Sequence, residues 1–313
     1  MKAVLQYDAS ESVRAMVAAF DRPPLNIVQV GEDDVAGFAR EIADAEALLH
    51  VLVPVTDAAM AAAPRLKLVQ KIGIGVDAID LDAAKKRRIA VCNMPGTNTQ
   101  AVAELALALM LACLRRVTLI NTEMHAGRGY PLRADLLDGL GEISGRTIGL
   151  LGYGAVPRRL TPVLQALGAR VIACDVAATS TDMEMMPLDD VLTQADIVSL
   201  HLPLIPDTKE IMNARRIARL KRGAILINTA RGALVDEAAL ADALRSGHIA
   251  AAGLDVFAVE PTPPDNPLLA FPNVIASPHL AWLTDGTWRR SIDVIAENCR
   301  RLAAGEPLLH RIV

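Results

Sequence analysis

Short apolar runs alternate with alanine-rich amphipathic segments along almost the whole chain, and this rhythm limits what it can fold into. KAVLQY, LNIVQV, ALLHVLV, LKLVQKIG and IAVCN form one series; TIGLLGYG, RVIACD, DIVSLHLP, AILINTA, AAGLDVF and NVIASPH form a second. Runs this short and this uniformly apolar read as strands covered on both faces, as in a parallel sheet. Parallel neighbours need a crossover, which is right-handed and usually helical. The expected fold class is therefore α/β, with two doubly wound, Rossmann-like parallel-sheet domains. A length of 313 residues likewise exceeds a typical single domain. With 52% hydrophobic residues but only 3% aromatic, the cores have to be aliphatic.

The segment TIGLLGYGAVPRRL (147–160) is a strand, a tight turn and a helix start. Gly152 permits the sharp turn, and Gly154 lets a pyrophosphate approach bare backbone at the helix N-terminus. The usual third glycine is replaced by Pro157, which a first helical turn accepts because its missing N–H would be unpaired there anyway. Pro162 falls inside the same helix, where proline costs about 3 kcal/mol or forces a kink. A bent or displaced helix is expected. Asp175 ends the next strand, where a carboxylate would accept bonds from an adenosine ribose, although a plain strand-end turn residue reads the same way. No arginine follows among Val176, Ala177 and Ala178, which favours NAD(H) over NADP(H).

A long helix near 98–126 and an irregular loop (127–143) separate the two series, and the last patterned segment, 285–304, is a helix. That terminal helix can return to the first domain. The expected division is a substrate domain of 1–97 and 284–313 around an NAD-binding domain of 98–283, with an interdomain cleft that closes by hinge motion near 97 and 283. Nothing in the sequence suggests a third domain. The balance of 32 cationic and 36 anionic residues gives a net charge of −4 and no broad basic surface for nucleic acid. Lys85-Lys86-Arg87-Arg88 reads as a solvated helix end facing the C-terminal dipole. Cys92, Cys113, Cys174 and Cys299 have no metal-ligand spacing and read as free thiols in a reducing cytosol. LALALMLACL (105–114) is too short to span a bilayer and reads as a buried helix; with its neighbouring loop it is also a candidate homodimer face. A soluble, cytoplasmic protein without a metal or membrane partner is expected.

Three polar residues stand in strongly patterned segments downstream of the glycine loop. Arg231 lies in INTARGALVDEAAL (227–240), Glu260 in AAGLDVFAVEP (251–261) and His279 in NVIASPHLAW (273–282). A cation, a carboxylate and an imidazole beside a nicotinamide are what reversible 2-oxoacid reduction requires. The cation holds the substrate carboxylate, the imidazole supplies a proton as hydride arrives, and the carboxylate orients the imidazole. Bland alternatives stand beside each: Arg231 satisfying strand-end carbonyls, Glu260 as a solvated turn residue, His279 as a packed loop residue. His50, His125, His201, His248 and His310 have no comparable setting and read as structural. Asp77 and Asp80 read as caps of the following helix. Trp282 and Trp288 could be core residues, and Trp282 could equally line a pocket.

With IGIGVDAID (72–80), NMPGTNTQAVAE (93–104) and LHLPLIPDTKEIMN (200–213) added, the chain from about 48 to 308 resembles the D-isomer-specific 2-hydroxyacid dehydrogenase family. That family includes glyoxylate/hydroxypyruvate reductases, glycerate dehydrogenases and D-3-phosphoglycerate dehydrogenases. By that resemblance Arg231 would bind the substrate carboxylate and C2 oxygen, His279 would be the acid/base and Glu260 its partner. Ile74 and Gly75 would offer N–H groups to the carboxylate. Ala155 and Val156 would lie at the pyrophosphate, and Leu202 and Pro203 on the adenine side. Thr229 and Arg231, with Ala230 between them, would flank the nicotinamide ribose; Asp255 would meet the carboxamide and Ala281 the ring. The implied activity is NAD-dependent interconversion of a small 2-oxoacid, glyoxylate or hydroxypyruvate in kind, and its D-2-hydroxy acid. Two alternatives are a phosphoglycerate-type enzyme, for which no Arg/Lys cluster stands near 72–77 or Val53-Pro54, and an NAD-sensing binding protein. Tyr130 and a leucine-rich stretch stand where relatives often carry tryptophans. The formate-oxidising branch has glutamine at the Glu260 position, so formate oxidation is not expected.

Overall fold

The computed structural model describes residues 1–20, 25–131, 134–177 and 183–313. The chain forms two compact units, Met1–Asn98 with Trp282–Val313, and Thr99–Ala281. The first holds five parallel strands, β1 (Lys2–Gln6), β2 (Asn26–Val30), β3 (Ala47–His50), β4 (Leu68–Lys71) and β5 (Ala90–Cys92), in the order β2-β1-β3-β4-β5. The second holds seven: β6 (Thr147–Leu151), β7 (Arg170–Cys174), β8 (Glu184–Met185), β9 (Ile197–Leu200), β10 (Ala224–Asn228), β11 (Ile249–Leu254) and β12 (Val274–Ala276), in the order β12-β11-β10-β9-β6-β7-β8. The apolar runs thus become parallel strands as expected, and only the two-residue edge strand β8 had no apolar run to announce it.

Alternation along the strands explains why both faces carry helices. Ile148 and Leu150 of β6, Ile225 and Ile227 of β10 point into one cluster with Leu109, Met110, Leu160 and Leu164. Leu151, Val198, Leu200, Leu226 and Leu254 join another with Leu192, Leu240 and Leu244. A strand with no polar face has to be buried twice. The first unit repeats the pattern: Leu5, Leu49 and Leu68 pack with Trp288 and Ile295, while Val4, Leu48 and Val69 pack with Ile42 and Met60. In the second sheet the strand order reverses between β6 and β9, and such a switch point opens a crevice beyond the strand C-termini.

Three expectations need correction. The single long helix near 98–126 is two, Thr99–Arg115 and Val117–His125, divided at Arg116 with φ +49°. The chain beyond takes over the first helix's end: the Gly141 amide donates to Leu114 O at 3.0 Å, and Arg116 Nη1 reaches Leu136 O. Nor is LALALMLACL buried all round. Ala106, Leu109, Met110 and Cys113 are buried, while Glu104, Ala108, Leu111 and Arg115 form an exposed stripe at helical spacing. The loop expected over 127–143 includes a short helix, Ala134–Leu137, and residues 132–133 lie outside the described ones.

Asp80 caps the helix Leu81–Arg87 by accepting from the Ala83 amide at 2.8 Å, and Lys85, Lys86 and Arg87 occupy its last turn. The helix Ala155–Ala166 runs as one element through Pro162, so the proline removes one bond to the Arg158 carbonyl without ending it. Among the described residues no helix is long and apolar enough to cross a membrane.

Candidate active site

At the end of β6, Gly152 turns with φ +93°, and its amide donates to Cys174 O at 2.8 Å. A Cβ there would stand 2.5 Å from His201 O, so the two strand ends flanking the switch point approach as closely as only glycine permits. Gly154 caps the next helix in extended conformation with no side-chain cap, and a Cβ on it would meet nothing within 4 Å. The helix beginning at Ala155 and Val156 thus has no side-chain cap and room beside Gly154 for an anion to approach. Pro157 is buried in that first turn. Asp175 lies past β7 and accepts from the Tyr153 amide at 2.6 Å and the Ala177 amide at 2.7 Å, fixing the glycine loop to the strand end. Ala178 lies outside the described residues. Leu202 is half-buried and Pro203 exposed, both directly beyond β9.

β10 ends at Asn228, whose buried amide shapes the next turn. Its Nδ2 donates to Arg231 O at 2.9 Å and its Oδ1 accepts from the Ala230 amide at 3.0 Å. Arg231 Nη1 donates to Ala230 O at 2.7 Å. Between them the buried Thr229 hydroxyl has no hydrogen-bond partner among the described residues. A buried hydroxyl left without a bond costs about 1–3 kcal/mol, so a polar group of a ligand is the natural acceptor or donor for it. The bare Gly154 cap and this hydroxyl both fit a dinucleotide.

Glu260 and His279 meet. The imidazole Nδ1 lies 2.7 Å from Glu260 Oε2, while Oε1 accepts from the Phe257 amide at 3.0 Å. With Nδ1 engaged, Nε2 is the ring nitrogen left to face a substrate. Burial pushes the Glu260 carboxyl up, but His279, the Phe257 amide and the Arg231 charge together hold it below the ordinary carboxylate value. His279 itself has φ +55°, a conformation that costs a side-chain-bearing residue about 1–3 kcal/mol unless its surroundings enforce it. Here they do. The fully buried Asp255 carboxylate accepts from Ser277 Oγ at 2.6 Å, the Leu280 amide at 2.8 Å and the Ala281 amide at 2.8 Å, and Asp255 O accepts the His279 amide at 2.7 Å. Burial pushes the Asp255 carboxyl up against those three bonds.

The residues singled out from sequence divide between the units. Arg231, Glu260, His279, the glycine loop, Asp175, Leu202, Pro203, Thr229, Ala230, Asp255 and Ala281 belong to Thr99–Ala281; Ile74, Gly75 and Trp282 belong to the other. Ile74 is exposed, and its carbonyl accepts Asn93 Nδ2 at 3.0 Å. Trp282 is buried in its unit's core, with ring centroids 6.1 Å from Tyr7 and 5.7 Å from Trp288. Burial pushes His50 down to about 3 and His201 to about 4, so both imidazoles are neutral near pH 7. Among the described residues no group of three or more His, Cys, Asp or Glu could hold a metal ion. Sequence reasoning missed Asn228, Glu237 and Ser277; an Asn at a strand end is a turn signal that could have marked the first.

A glycine turn and open helix start at the switch point of a parallel sheet define a dinucleotide-binding α/β protein, and the carboxylate–imidazole pair adds an acid/base group. The family model for the D-isomer specific 2-hydroxyacid dehydrogenase, NAD binding domain, matches residues 107–281. The chain belongs to this family. It is 41% identical over 271 residues to a D-3-phosphoglycerate dehydrogenase of Mycobacterium leprae, covering 85% of this chain and 50% of the relative. It thus spans about half the length of the mycobacterial relatives it matches. A glyoxylate reductase of Thermofilum pendens is 39% identical over 275 residues, covering 85% and 81%. The solved structure of the TT0316 protein of Thermus thermophilus superposes with TM-score 0.90 at 34% identity, over the full length of both chains.

Proposed function

We propose that this protein is an NAD(H)-dependent 2-hydroxyacid dehydrogenase that reduces a small 2-oxoacid, such as glyoxylate or hydroxypyruvate, to its D-2-hydroxy acid. The observation that carries this reading is the 2.7 Å Glu260–His279 contact through Nδ1. It fixes the tautomer and leaves Nε2 to deliver or remove the proton at the C2 oxygen. A nicotinamide held by these residues would supply or accept the hydride. Arg231 binds the carboxylate and opposes charge growing on the C2 oxygen, and Glu260 stabilises the imidazolium that precedes proton donation. Gly152, Gly154, Ala155 and Val156 would hold the pyrophosphate, and Leu202 and Pro203 the adenine. Thr229 and Ala230 would serve the nicotinamide ribose, with Asp255 and Ala281 toward its carboxamide and ring. Asp175 repels a 2′-phosphate, which favours NAD(H) over NADP(H).

A homodimer is the assembly we favour. The helix Val117–His125 buries no residue, and Leu111, Val117, Met124, Tyr130, Leu137 and Leu140 are exposed around it. Apolar surface gathered this densely marks an interface. A cytoplasmic location is consistent with four unpaired cysteines.

The reading is tested by NADH oxidation across a panel of 2-oxoacids that includes glyoxylate, hydroxypyruvate and 3-phosphohydroxypyruvate, repeated with NADPH. Turnover of the small oxoacids with NADH supports it. A rate confined to the phosphorylated compound selects the second reading, which the mycobacterial likeness favours. Silence on every compound, with NADH still bound, selects a sensing protein.

A further inference from the structure

We propose that Glu237 is a positioning residue that holds the Glu260 loop in register with His279; the proposal rests on the acid/base reading of that pair. Glu237 opens the helix Glu237–Arg245, directly after its cap Asp236, yet its carboxylate reaches away from the helix. One oxygen accepts the Ala258 amide at 2.7 Å and the other accepts Asn266 Nδ2 at 2.9 Å. Those two contacts bracket Glu260. The amide immediately before Ala258, that of Phe257, donates to Glu260 Oε1. Consecutive amides of one peptide chain therefore end on two carboxylates, one from the helix and one that meets the imidazole. While Glu237 holds the second amide, the first stays aimed at Glu260. Asn266 is fixed in turn, because its Oδ1 accepts the Leu268 amide at 2.9 Å and its amide group cannot flip without losing that bond.

The loop needs such a strut. Val259 is 60% exposed, so little apolar burial anchors the segment between Ala258 and Glu260. The charged groups facing Glu260 are His279 and Arg231, and those facing His279 are Glu260 and Asp255. Glu237 acts on them through backbone and not through its charge.

The test is NMR hydrogen exchange at the Phe257 and Ala258 amides of the intact protein, with kcat and NADH affinity measured alongside. Glu237→Ala is expected to speed exchange at the Phe257 amide about tenfold or more, because a released Ala258 no longer keeps the preceding amide on Glu260. It is expected to lower kcat about tenfold, with NADH affinity unchanged. Ala243→Gly, on the same helix, supplies a destabilised control and should move neither Phe257 exchange nor kcat beyond its effect on folding. Glu237→Gln keeps an acceptor for Ala258 but not for Asn266; it should show the same direction at smaller size if the alanine variant does not fold. Unchanged exchange at the Phe257 amide in a folded Glu237 variant overturns the proposal. The exchange measurement needs no substrate. A protein silent on every oxoacid refutes the acid/base reading, whereas exchange reports separately on whether Glu237 holds the loop.

Discussion

Gly232 lies flat against the peptide of Phe257. A Cβ on Gly232 would stand 1.8 Å from the Phe257 carbonyl carbon and 2.0 Å from its oxygen. The backbone that follows Arg231 thus touches the backbone that donates to Glu260, and no flexible side chain lies between to give way. The cation and the carboxylate are set relative to each other by this contact.

Gly232→Ala should therefore cost more than an ordinary overpacked site, above about 3 kcal/mol by thermal unfolding. Any folded fraction should lose about 100-fold in kcat/KM, since displacement of order 1 Å has that effect. Gly154→Ala is the contrast, because its Cβ meets nothing. It should fold normally and show any loss in NADH affinity.

Arg231→Lys keeps the charge but loses the planar fork that matches a carboxylate. The expected loss in kcat/KM is about 100-fold, or about 2.7 kcal/mol at 1.36 kcal/mol per decade. Steady-state kinetics with saturating NADH measure it, and unchanged kcat/KM would remove Arg231 from the site.

Asp255→Asn turns one accepting oxygen into a donor that faces either the Ala281 amide or the Leu280 amide and Ser277 hydroxyl. A stability loss of about 1–3 kcal/mol is expected, with kcat falling because the left-handed His279 backbone is no longer enforced. Ser277→Ala removes one donor and should lose about 1 kcal/mol with most of kcat kept.

Glu260 has a carboxyl held below its ordinary value of 4.5 in the folded protein. A depressed carboxyl contributes stability that is complete above the unfolded value and is lost as pH falls through the folded one. The melting-temperature advantage of the unaltered protein over Glu260→Gln should therefore be full just above 4.5 and shrink steadily below it. An advantage that grows in acid would contradict the geometry.

Much of this was legible in the sequence because it depended on local chemistry. Gly152, Gly154 and the apolar runs on either side specify a turn, a helix start and buried strands within a dozen residues. What escaped was set by tertiary contact. The break at Arg116 follows from Gly141 capping Leu114, a partner 27 positions away that periodicity cannot see (141 − 114 = 27). Glu237 stands in a helix's first turn, where an acid is unremarkable, and its reach to Ala258 and Asn266 exists only once the strands are laid side by side. The likeness suggested Asp255 at a carboxamide; its three bonds to the 277–281 turn appear only in the fold. Trp282 could be read two ways, since a sequence does not say which side of a turn an indole packs on.

The central claim is that His279 Nε2 moves the proton that accompanies hydride transfer. Pre-steady-state oxidation of bound NADH by the preferred 2-oxoacid, compared between the unaltered protein and His279→Gln, tests it most directly. The account predicts a fall in the chemical step of about 10²–10⁴-fold with NADH affinity retained. A glutamine variant that oxidises NADH at the unaltered rate would contradict it.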